Sequence, residues 1–306
     1  MLVATDPVNL IVIVGPTASG KTRLAARLAR ETGSEVISAD SRQVYRGLDI
    51  GSGKDLGDYL VDGIPVPYHL INIADPREEF SVFSYQRAFH DCFAELSRRG
   101  VVPVLAGGTG LYIEAVLRGY RMEEVPENPE LRRELAYLSE GDLAEMLRAA
   151  NPRLHNTTDL TDRSRLLRAL EIARHRTDAP AEPGPVLRPL VAGVRWDRAV
   201  LRSRIARRLE ERLAGGLVEE VQRLRESGVS WERLYALGLE YRYIGLHLSG
   251  ELPYDEMVRT LKTRIGQFAK RQETWFRGME RRGVPIRWID GDDYDALRDL
   301  VKAAAP

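Results

Sequence analysis

The sequence LIVIVGPTASGKT, residues 10–22, decides the fold class of this chain. Its apolar run is typical of a strand buried on both faces of a parallel sheet, and a glycine loop and a helical pattern follow directly. The loop matches the phosphate-binding pattern G-x-x-x-x-G-K-T, in which backbone N–H groups and a helix N-terminus surround phosphates. We therefore predict a phosphate site in which Lys21 supplies a cation and the Thr22 hydroxyl binds Mg²⁺ as the metal cofactor. The predicted loop comprises Gly15, Pro16, Thr17, Ala18, Ser19, Gly20, Lys21 and Thr22.

Strand and helix patterns alternate over the first 120 residues. EVISAD (35–40), YHLINIAD (68–75) and VVPVLAGGTG (101–110) are candidate strands, and residues 82–99 place apolar side chains along one helical stripe. Alternation at this spacing is typical of parallel sheets covered by helices on both faces. The expected fold is therefore α/β, a P-loop NTPase-like doubly wound parallel sheet.

The pattern changes after Gly119. Residues 121–176 contain no strand candidate, and the Pro- and Gly-rich stretch at 177–189 is typical of a linker. Strand character returns at 190–196, helical patterns follow, and VPIRWID is a last candidate strand. We predict an α/β core with a helical C-terminal part and one inserted helical domain. The core would comprise residues 1–120 plus 189–306, and the insertion residues 121–188.

Composition excludes several classes of protein. A single cysteine, Cys92, rules out an internal disulfide and a zinc site of paired thiolates. The 45 basic and 45 acidic residues cancel, although residues 259–282 carry eight Lys or Arg against two Glu. No apolar stretch approaches the roughly 18 residues that span a bilayer, and the N-terminus lacks the features of a signal peptide. We expect a soluble cytoplasmic protein without a membrane partner.

Two polar residues follow predicted strands at the edge of the sheet where the phosphate loop lies. Asp40 ends EVISAD and Thr109 follows VVPVLAGG, so both are candidates for substrate contact, or else a turn acid and a helix cap. No strand ends in a clear candidate for the acid that holds Mg²⁺ in ordinary ATPases, and Asp75 comes nearest. The residues alone therefore leave kinase and non-kinase functions open. A second glycine stretch, GSGK at 51–54, fails the loop pattern, and we expect a surface turn there.

Five segments of the chain together resemble the tRNA dimethylallyltransferase family, in the same order and at similar separations. They are GPTASGKT, SADSRQVYRGLDIGSGKD, AGGTGLYIEAVLRG, LLRALEIARHR and AKRQETWFRG, and the resemblance runs from about residue 11 to 290. It implies transfer of a dimethylallyl group from dimethylallyl diphosphate to the exocyclic N6 amine of the adenosine on the 3′ side of the anticodon. Leu239 stands where the family pattern has tyrosine, and DIGSGKD replaces DIGTAKP, so we expect a somewhat divergent member.

The resemblance also implies roles for individual residues. The phosphate loop would hold the leaving diphosphate and not ATP, with Asp40, Lys21 and Thr109 as catalytic residues. Asp40 would accept a proton from the adenine amine. The partners would be dimethylallyl diphosphate and the anticodon stem-loop of tRNA, bound by a monomer. The implied tRNA-binding residues are Asp40, Ser41, Arg42, Gln43, Thr109, Arg132, Ser164, Arg165, Arg168, Lys270 and Arg271, with a further contact region at 235–240.

Three other functions compete with this one. A P-loop small-molecule kinase would use Asp40 as the base for a hydroxyl acceptor, but leaves AKRQETWFRG unexplained. A cytokinin-type adenylate prenyltransferase shares the loop and the donor but has less need of an arginine-containing insertion. A nucleic-acid binder with an inactive loop would not need Lys21, Thr22 and Asp40. In the last long helix we expect Arg281 and Arg282 on a solvated face, and Phe268, Trp275 and Phe276 as core anchors.

Overall fold

The structure, a computed structural model, describes residues 7–120, 122, 125–150, 163–175 and 184–304. The chain divides into two compact units. Unit 1 is Met1–Tyr120 with Gly184–Pro306, and unit 2 is Arg121–Pro183. Residues 184–188 belong to unit 1, where Asn9 donates to the Val186 carbonyl.

A six-stranded parallel sheet forms the centre of unit 1, in the order β5-β2-β6-β1-β7-β8. β1 lies in the middle because each of its five residues is apolar and buried. A small antiparallel hairpin, β3 with β4, stands apart from this sheet. The expected doubly wound α/β sheet is therefore confirmed. The strands are β1 Leu10–Val14, β2 Val36–Ser38, β3 Leu60–Val61, β4 Ile64–Pro65, β5 Tyr68–His69, β6 Val104–Gly107, β7 Pro189–Arg195 and β8 Arg287–Asp290.

Helices cover both faces of the sheet and make up the C-terminal part of unit 1. Local signals set their ends: Ser81 accepts from Ser84 N–H to cap α2, and Asp197 caps α7. Gly33, with φ 66°, ends α1. The helices are α1 Lys21–Thr32, α2 Val82–Arg98, α3 Gly110–Leu117, α4 Pro129–Glu134, α5 Glu140–Ala150, α6 Arg163–Arg174, α7 Arg198–Ala214, α8 Leu217–Glu226, α9 Trp231–Ala236, α10 Leu239–Leu248, α11 Tyr254–Arg281 and α12 Tyr294–Ala304.

One strand is shorter than the sequence predicts. The strand expected at 68–75 ends at His69, because Leu70 and Asn72 have positive φ values of 61° and 60° and turn the chain out of the sheet.

The carboxyl ends of β2 and β6 approach each other very closely. A Cβ added at Gly107 would lie 2.1 Å from the carbonyl oxygen of Ala39, so only glycine fits there. Hydrogen bonds fix the contact, since Ala39 N–H donates to Ala106 O and Thr109 N–H donates to Ala39 O. The residues that follow the two strands are consequently held side by side.

α11 packs its apolar face against the rest of unit 1. Phe276 is fully buried and Trp275 packs against the same core, as expected. Phe268 is 39% exposed, so its assignment to the core is wrong. Arg282 is not simply solvated either, because its guanidinium donates to both oxygens of the buried Glu114, at 2.5 and 2.7 Å. That carboxylate needs a charged partner because it is 1% exposed.

Unit 2 has its own apolar core, formed by leucines of α4, α5 and α6. A buried carboxylate, Glu171, lies at the edge of this core. It accepts from Arg132 Nε at 2.7 Å, from Arg168 Nη1 at 2.9 Å and from Asn128 N–H at 3.0 Å. These bonds tie the start of α4 to α6.

The turn at 51–54 is largely buried, so the expectation of a surface turn there is wrong. Lys54 is 1% exposed, and its ammonium donates to Tyr45 O, Asp49 Oδ1 and Asn72 Oδ1. The ammonium is tolerated inside because it has three oxygen acceptors.

Glu220 of α8 holds the same turn from the other side. Its carboxylate accepts from the N–H groups of Asp49, Ile50 and Gly51 at 2.6–3.0 Å, and from the Tyr241 hydroxyl at 2.9 Å. A buried carboxylate with four donors is fully paired, so the turn and the helix are mutually dependent.

We predict that Glu220→Ala lowers the free energy of unfolding by about 3 kcal/mol or more, because each buried donor left without an acceptor costs about 1–3 kcal/mol. Tyr241→Phe removes one donor and should cost about 1 kcal/mol. Urea unfolding followed by circular dichroism measures both. Glu219→Ala, an exposed neighbour on α8, is the matched control. A loss for Glu220→Ala no larger than that of the control would contradict this account.

Candidate active site

A cleft of about 680 Å³ opens at the carboxyl edge of the sheet, within unit 1. Such clefts form where the strand order reverses on either side of a central strand, here β1. The cleft brings together segments that are far apart in the chain: residues 17–23 and 40–43, Thr109, and parts of α7, α10 and α11.

The phosphate loop has a compact, partly strained conformation. Ala18 and Gly20 have positive φ values of 61° and 87°. A Cβ at Gly15 would lie 2.8 Å from Ser19 Oγ, so the loop closes tightly over its first glycine. Ser19 Oγ is buried and has no hydrogen-bond partner among the described residues. An unpaired hydroxyl in this position is consistent with a loop built for a ligand.

Two side chains from outside the loop brace it. Arg204 Nε donates to Ala18 O at 2.8 Å, and Trp196 Nε1 donates to Ser19 O at 2.9 Å. The Arg204 guanidinium also lies over the Trp196 ring, 4.3 Å from its centroid. Both contacts support the strained residues from the α7 side.

Lys21 extends between the ends of β1 and β6. Its Nζ donates to Pro16 O at 3.3 Å, and a Cβ at Gly108 would lie 3.5 Å from it. Burial lowers the pKa of Lys21 to about 8, an effect that the nearby Asp40 carboxylate opposes. A bound anion would stabilise the protonated amine at this position.

Asp40 and Thr109 lie on one wall of the cleft, as the sequence predicted for the ends of β2 and β6. Asp40 Oδ1 accepts from the N–H groups of Arg42 at 2.9 Å and Gln43 at 3.4 Å, whereas no hydrogen bond of the described residues uses Oδ2. Thr109 Oγ1 accepts from Ser41 N–H at 2.9 Å. One carboxylate oxygen is thus fixed by the turn, and the other is available to a substrate.

Gln43 and Arg42 also line the cleft, but they differ in their contacts. The amide of Gln43 is buried, where it accepts from Ser38 Oγ at 2.8 Å and donates to Gly53 O at 2.9 Å. It therefore supports the turn at 51–54. Arg42 approaches the start of α10, since a Cβ at Gly238 would lie 3.5 Å from its Nε.

α7 contributes a row of arginines that the sequence analysis missed. Arg204, Arg208 and Arg212 recur every four residues on one helical face and line the cleft together with Arg207. Arg208 Nη2 donates to Asp55 Oδ2 at 2.5 Å, and Arg212 lies 3.5 Å from the same oxygen. The i, i+4, i+8 spacing of arginines was the signal that could have revealed this face.

The segment 235–240, expected as a contact region, does line the cleft. Tyr235, Ala236, Gly238, Leu239 and Glu240 all contribute to its wall. Burial raises the pKa of the Glu240 carboxyl, which lines the cleft together with Asp40 and other acids.

The predicted tRNA-binding residues outside the cleft are dispersed. Lys270 and Arg271 are exposed on α11, and Arg165 is exposed on α6. Arg132 and Arg168 pair with Glu171 inside unit 2. Ser164 lies in α6, and its side chain is outside the described part of the structure.

The donor set of the cleft fits Mg²⁺ bound mainly through a ligand's oxygens. Mg²⁺ usually takes one or two protein oxygens and completes its shell with phosphates and water. Thr22 and Asp40 line the cleft, whereas the described residues contain no group of three or more His, Cys, Asp or Glu side chains that could hold a metal by themselves.

Two further sequence expectations concern Asp75 and the membrane. Asp75 pairs with Arg77 through both oxygens, at 2.6 and 2.8 Å, and does not line the cleft.

None of the helices in the described part of the chain combines the length and the apolarity that crossing a bilayer requires.

Comparison with known proteins identifies relatives along nearly the whole chain. The family model described as IPP transferase matches residues 43–279, and the model described as Isopentenyl transferase matches residues 8–62. The chain is 58% identical to tRNA dimethylallyltransferase 1 of Syntrophus aciditrophicus, over 96% of this chain and 97% of that protein. It is 57% identical to tRNA dimethylallyltransferase 2 of Trichlorobacter lovleyi, over 92% of each.

A solved structure agrees with these sequence relatives. The tRNA isopentenylpyrophosphate transferase of Bacillus halodurans superposes with a TM-score of 0.68 at 30% identity, covering 97% of each chain. Matches of this length and identity leave one assignment: the chain belongs to the tRNA dimethylallyltransferase family.

Proposed function

We propose that this protein transfers the dimethylallyl group of dimethylallyl diphosphate to the exocyclic N6 amine of the adenosine on the 3′ side of the anticodon in tRNA. The observation that carries the proposal is the position of Asp40, on the wall of a cleft that also holds a phosphate loop. A site for a leaving diphosphate and a proton acceptor for the attacking amine are the two groups that this reaction needs. Family membership supports the same activity.

The charges of the cleft suit a diphosphate. Lys21 and the row of arginines of α7 all line the cleft. Cations fixed around a leaving group stabilise the charge that develops as its bond breaks. Among these arginines, Arg208 and Arg212 are oriented by Asp55, so little reorganisation is required when the diphosphate arrives.

Mg²⁺ would be held by Thr22 and the diphosphate oxygens, and it would supply further positive charge to the leaving group. The unpaired Ser19 hydroxyl in the same loop offers one more polar contact to the diphosphate.

The transfer step then follows from the chain's own residues. The N6 nitrogen attacks C1 of the dimethylallyl group, the C1–O bond breaks and diphosphate leaves. The amine proton passes to Asp40 Oδ2, because Oδ1 is occupied by the turn. Thr109 fixes Ser41, the neighbour of Asp40, and so holds the carboxylate in place.

The kinase alternative is less well supported. Its Mg²⁺-holding acid would be Asp75, and that carboxylate is engaged by Arg77 outside the cleft. β6 ends instead in glycines that pack on Ala39 and α11.

The basic residues outside the cleft are proposed to hold the tRNA stem. Lys270 and Arg271 project from α11 close to the cleft residues Phe268 and Gln272. The inserted unit, Arg121–Pro183, is proposed to contact tRNA through Arg165 and the paired Arg132 and Arg168. The ion pairs with Glu171 orient these two guanidiniums.

Asp40→Asn should reduce turnover by about 10²–10⁴-fold while leaving tRNA and donor affinities nearly unchanged. Asparagine keeps the oxygen that accepts from Arg42 N–H but cannot take the amine proton. Single-turnover transfer of labelled dimethylallyl to tRNA measures the step, with exposed Asp91→Asn as control. Near-normal turnover would leave Asp40 as a turn residue only.

Affinity for the donor should depend on the protonation of Lys21. Because the pKa of Lys21 in the free protein is about 8, the amine is charged at pH 7 and loses its proton as the pH rises through 8. The diphosphate binds the charged amine, so loss of this proton should increase the dissociation constant by up to about tenfold per pH unit above pH 8. Titration calorimetry with inorganic diphosphate from pH 6.5 to 9.5 tests this.

Lys21→Arg provides the matched comparison, since a guanidinium stays charged over this range. Its affinity should lack the decline above pH 8 that Lys21 causes, whatever its absolute value. The same decline above pH 8 in both proteins would assign the titration to another group.

Replacing Lys270 and Arg271 together by alanine should weaken tRNA binding and reduce its salt dependence. Each lost phosphate contact lowers the slope of log affinity against log salt concentration by roughly 0.7–0.9. Filter binding between low and physiological salt measures this slope. The control is Arg30→Ala with Arg98→Ala, two exposed arginines in the last turns of α1 and α2. An unchanged slope would assign Lys270 and Arg271 to a solvated face.

A further inference from the structure

Gln272 of α11 is buried, and its amide forms two hydrogen bonds with backbone groups of the active site. Its Oε1 accepts from Thr17 N–H, in the phosphate loop, at 2.8 Å. Its Nε2 donates to Gly108 O, in the loop after β6, at 2.9 Å. The side chain is 7% exposed, so these bonds are shielded from water. A single amide therefore joins the two loops.

The packing around Gln272 leaves little freedom. A Cβ at Gly108 would lie 2.5 Å from its Nε2, and one at Gly110 would lie 2.2 Å from the Trp275 ring. Both contacts come from the same side of α11. The helix itself is fixed by buried Ala269 and Phe276, which are three residues before and four residues after Gln272. The glycines thus allow α11 to approach close enough for the amide to reach both loops.

The glutamine amide meets both requirements at this position. The Thr17 N–H needs an acceptor and the Gly108 carbonyl needs a donor, and the glutamine amide presents one of each at its end. A glutamate would accept but not donate, and a methionine of similar length would do neither. A buried donor or acceptor without a partner costs free energy, and we expect the loop that carries it to shift until the group finds another partner.

We propose that Gln272 is a positioning residue that sets the distance between the phosphate loop and the wall formed by Asp40 and Thr109. The inference rests on the proposed function, in which the phosphate loop holds the leaving group and the wall with Asp40 receives the attacking amine. Thr17 belongs to the phosphate loop, and Gly108 precedes Thr109, which fixes Ser41 beside Asp40. Displacement of either loop by about 1 Å can cost a transfer reaction roughly 10²-fold.

The test compares Gln272→Met with wild type and with Gln222→Met, an exposed glutamine of α8 whose amide bonds only to Glu226 among the described residues. Methionine keeps the volume and removes both hydrogen bonds. We expect kcat to fall by roughly 10–100-fold and KM for dimethylallyl diphosphate to rise by about tenfold. Affinity for tRNA should change less than about threefold, because Lys270 and Arg271 stay in place.

A second measurement does not require activity. Hydrogen exchange of the free protein should accelerate at residues 17–22 and 108–112 in Gln272→Met, with β1 and α2 unchanged. If the methionine variant does not fold, Gln272→Glu, which loses only the donor to Gly108, is measured instead. Its exchange should accelerate at 108–112 but not at 17–22.

The outcomes separate this inference from the proposed function. Wild-type protein that transfers no dimethylallyl group to tRNA would overturn the function. An active wild type, with a folded Gln272 variant whose kcat, KM and loop exchange match those of the control, would overturn the positioning role. An equal loss of tRNA affinity and donor affinity would also overturn it, because that pattern indicates a general disturbance of α11.

Discussion

The close contact between the carboxyl ends of β2 and β6 is the constraint on which the candidate active site depends. Gly107 lies so near the Ala39 carbonyl that any side chain at this position would push the strands apart. Because the strands meet here, Thr109 N–H reaches Ala39 O, and the Thr109 hydroxyl reaches Ser41 N–H. The position of Asp40 in the cleft therefore depends both on the backbone contact between β2 and β6 and on the turn that contains Asp40.

Helices from the C-terminal part of the chain hold the loops that follow β1 and β6 and line the cleft. α7 braces the phosphate loop through Arg204 and turns further arginines into the cleft. α11 reaches the loops of β1 and β6 through Gln272, at sequence separations of 255 and 164 residues. The loops of a parallel sheet are anchored only at their strand ends, so such contacts are what give them a single arrangement. The cost of strain at Ala18 is offset by the same contacts.

The charged residues of the cleft and the buried glutamates differ in how their charges are balanced. Lys21 and the arginines of α7 surround the cleft, where a diphosphate would neutralise them. Glu114, Glu171 and Glu220 are buried elsewhere and fully paired. The two groups differ because the buried acids accept hydrogen bonds from partners within the fold. Lys21 is also buried, but the nearby Asp40 carboxylate only partly offsets the cost of burying its charge, and the pKa of Lys21 is therefore lowered.

By itself, the sequence determined the α/β class, the phosphate loop and the placement of Asp40 and Thr109 at one edge of the sheet. These features follow from short-range patterns: apolar runs, glycines at fixed spacing, and polar residues directly after strands. The tertiary structure alone decided that Lys54 is buried and that Arg204, Arg208 and Gln272 face the cleft. Each of these depends on contacts between segments far apart in the chain, and a local pattern does not specify which face of a helix meets which loop.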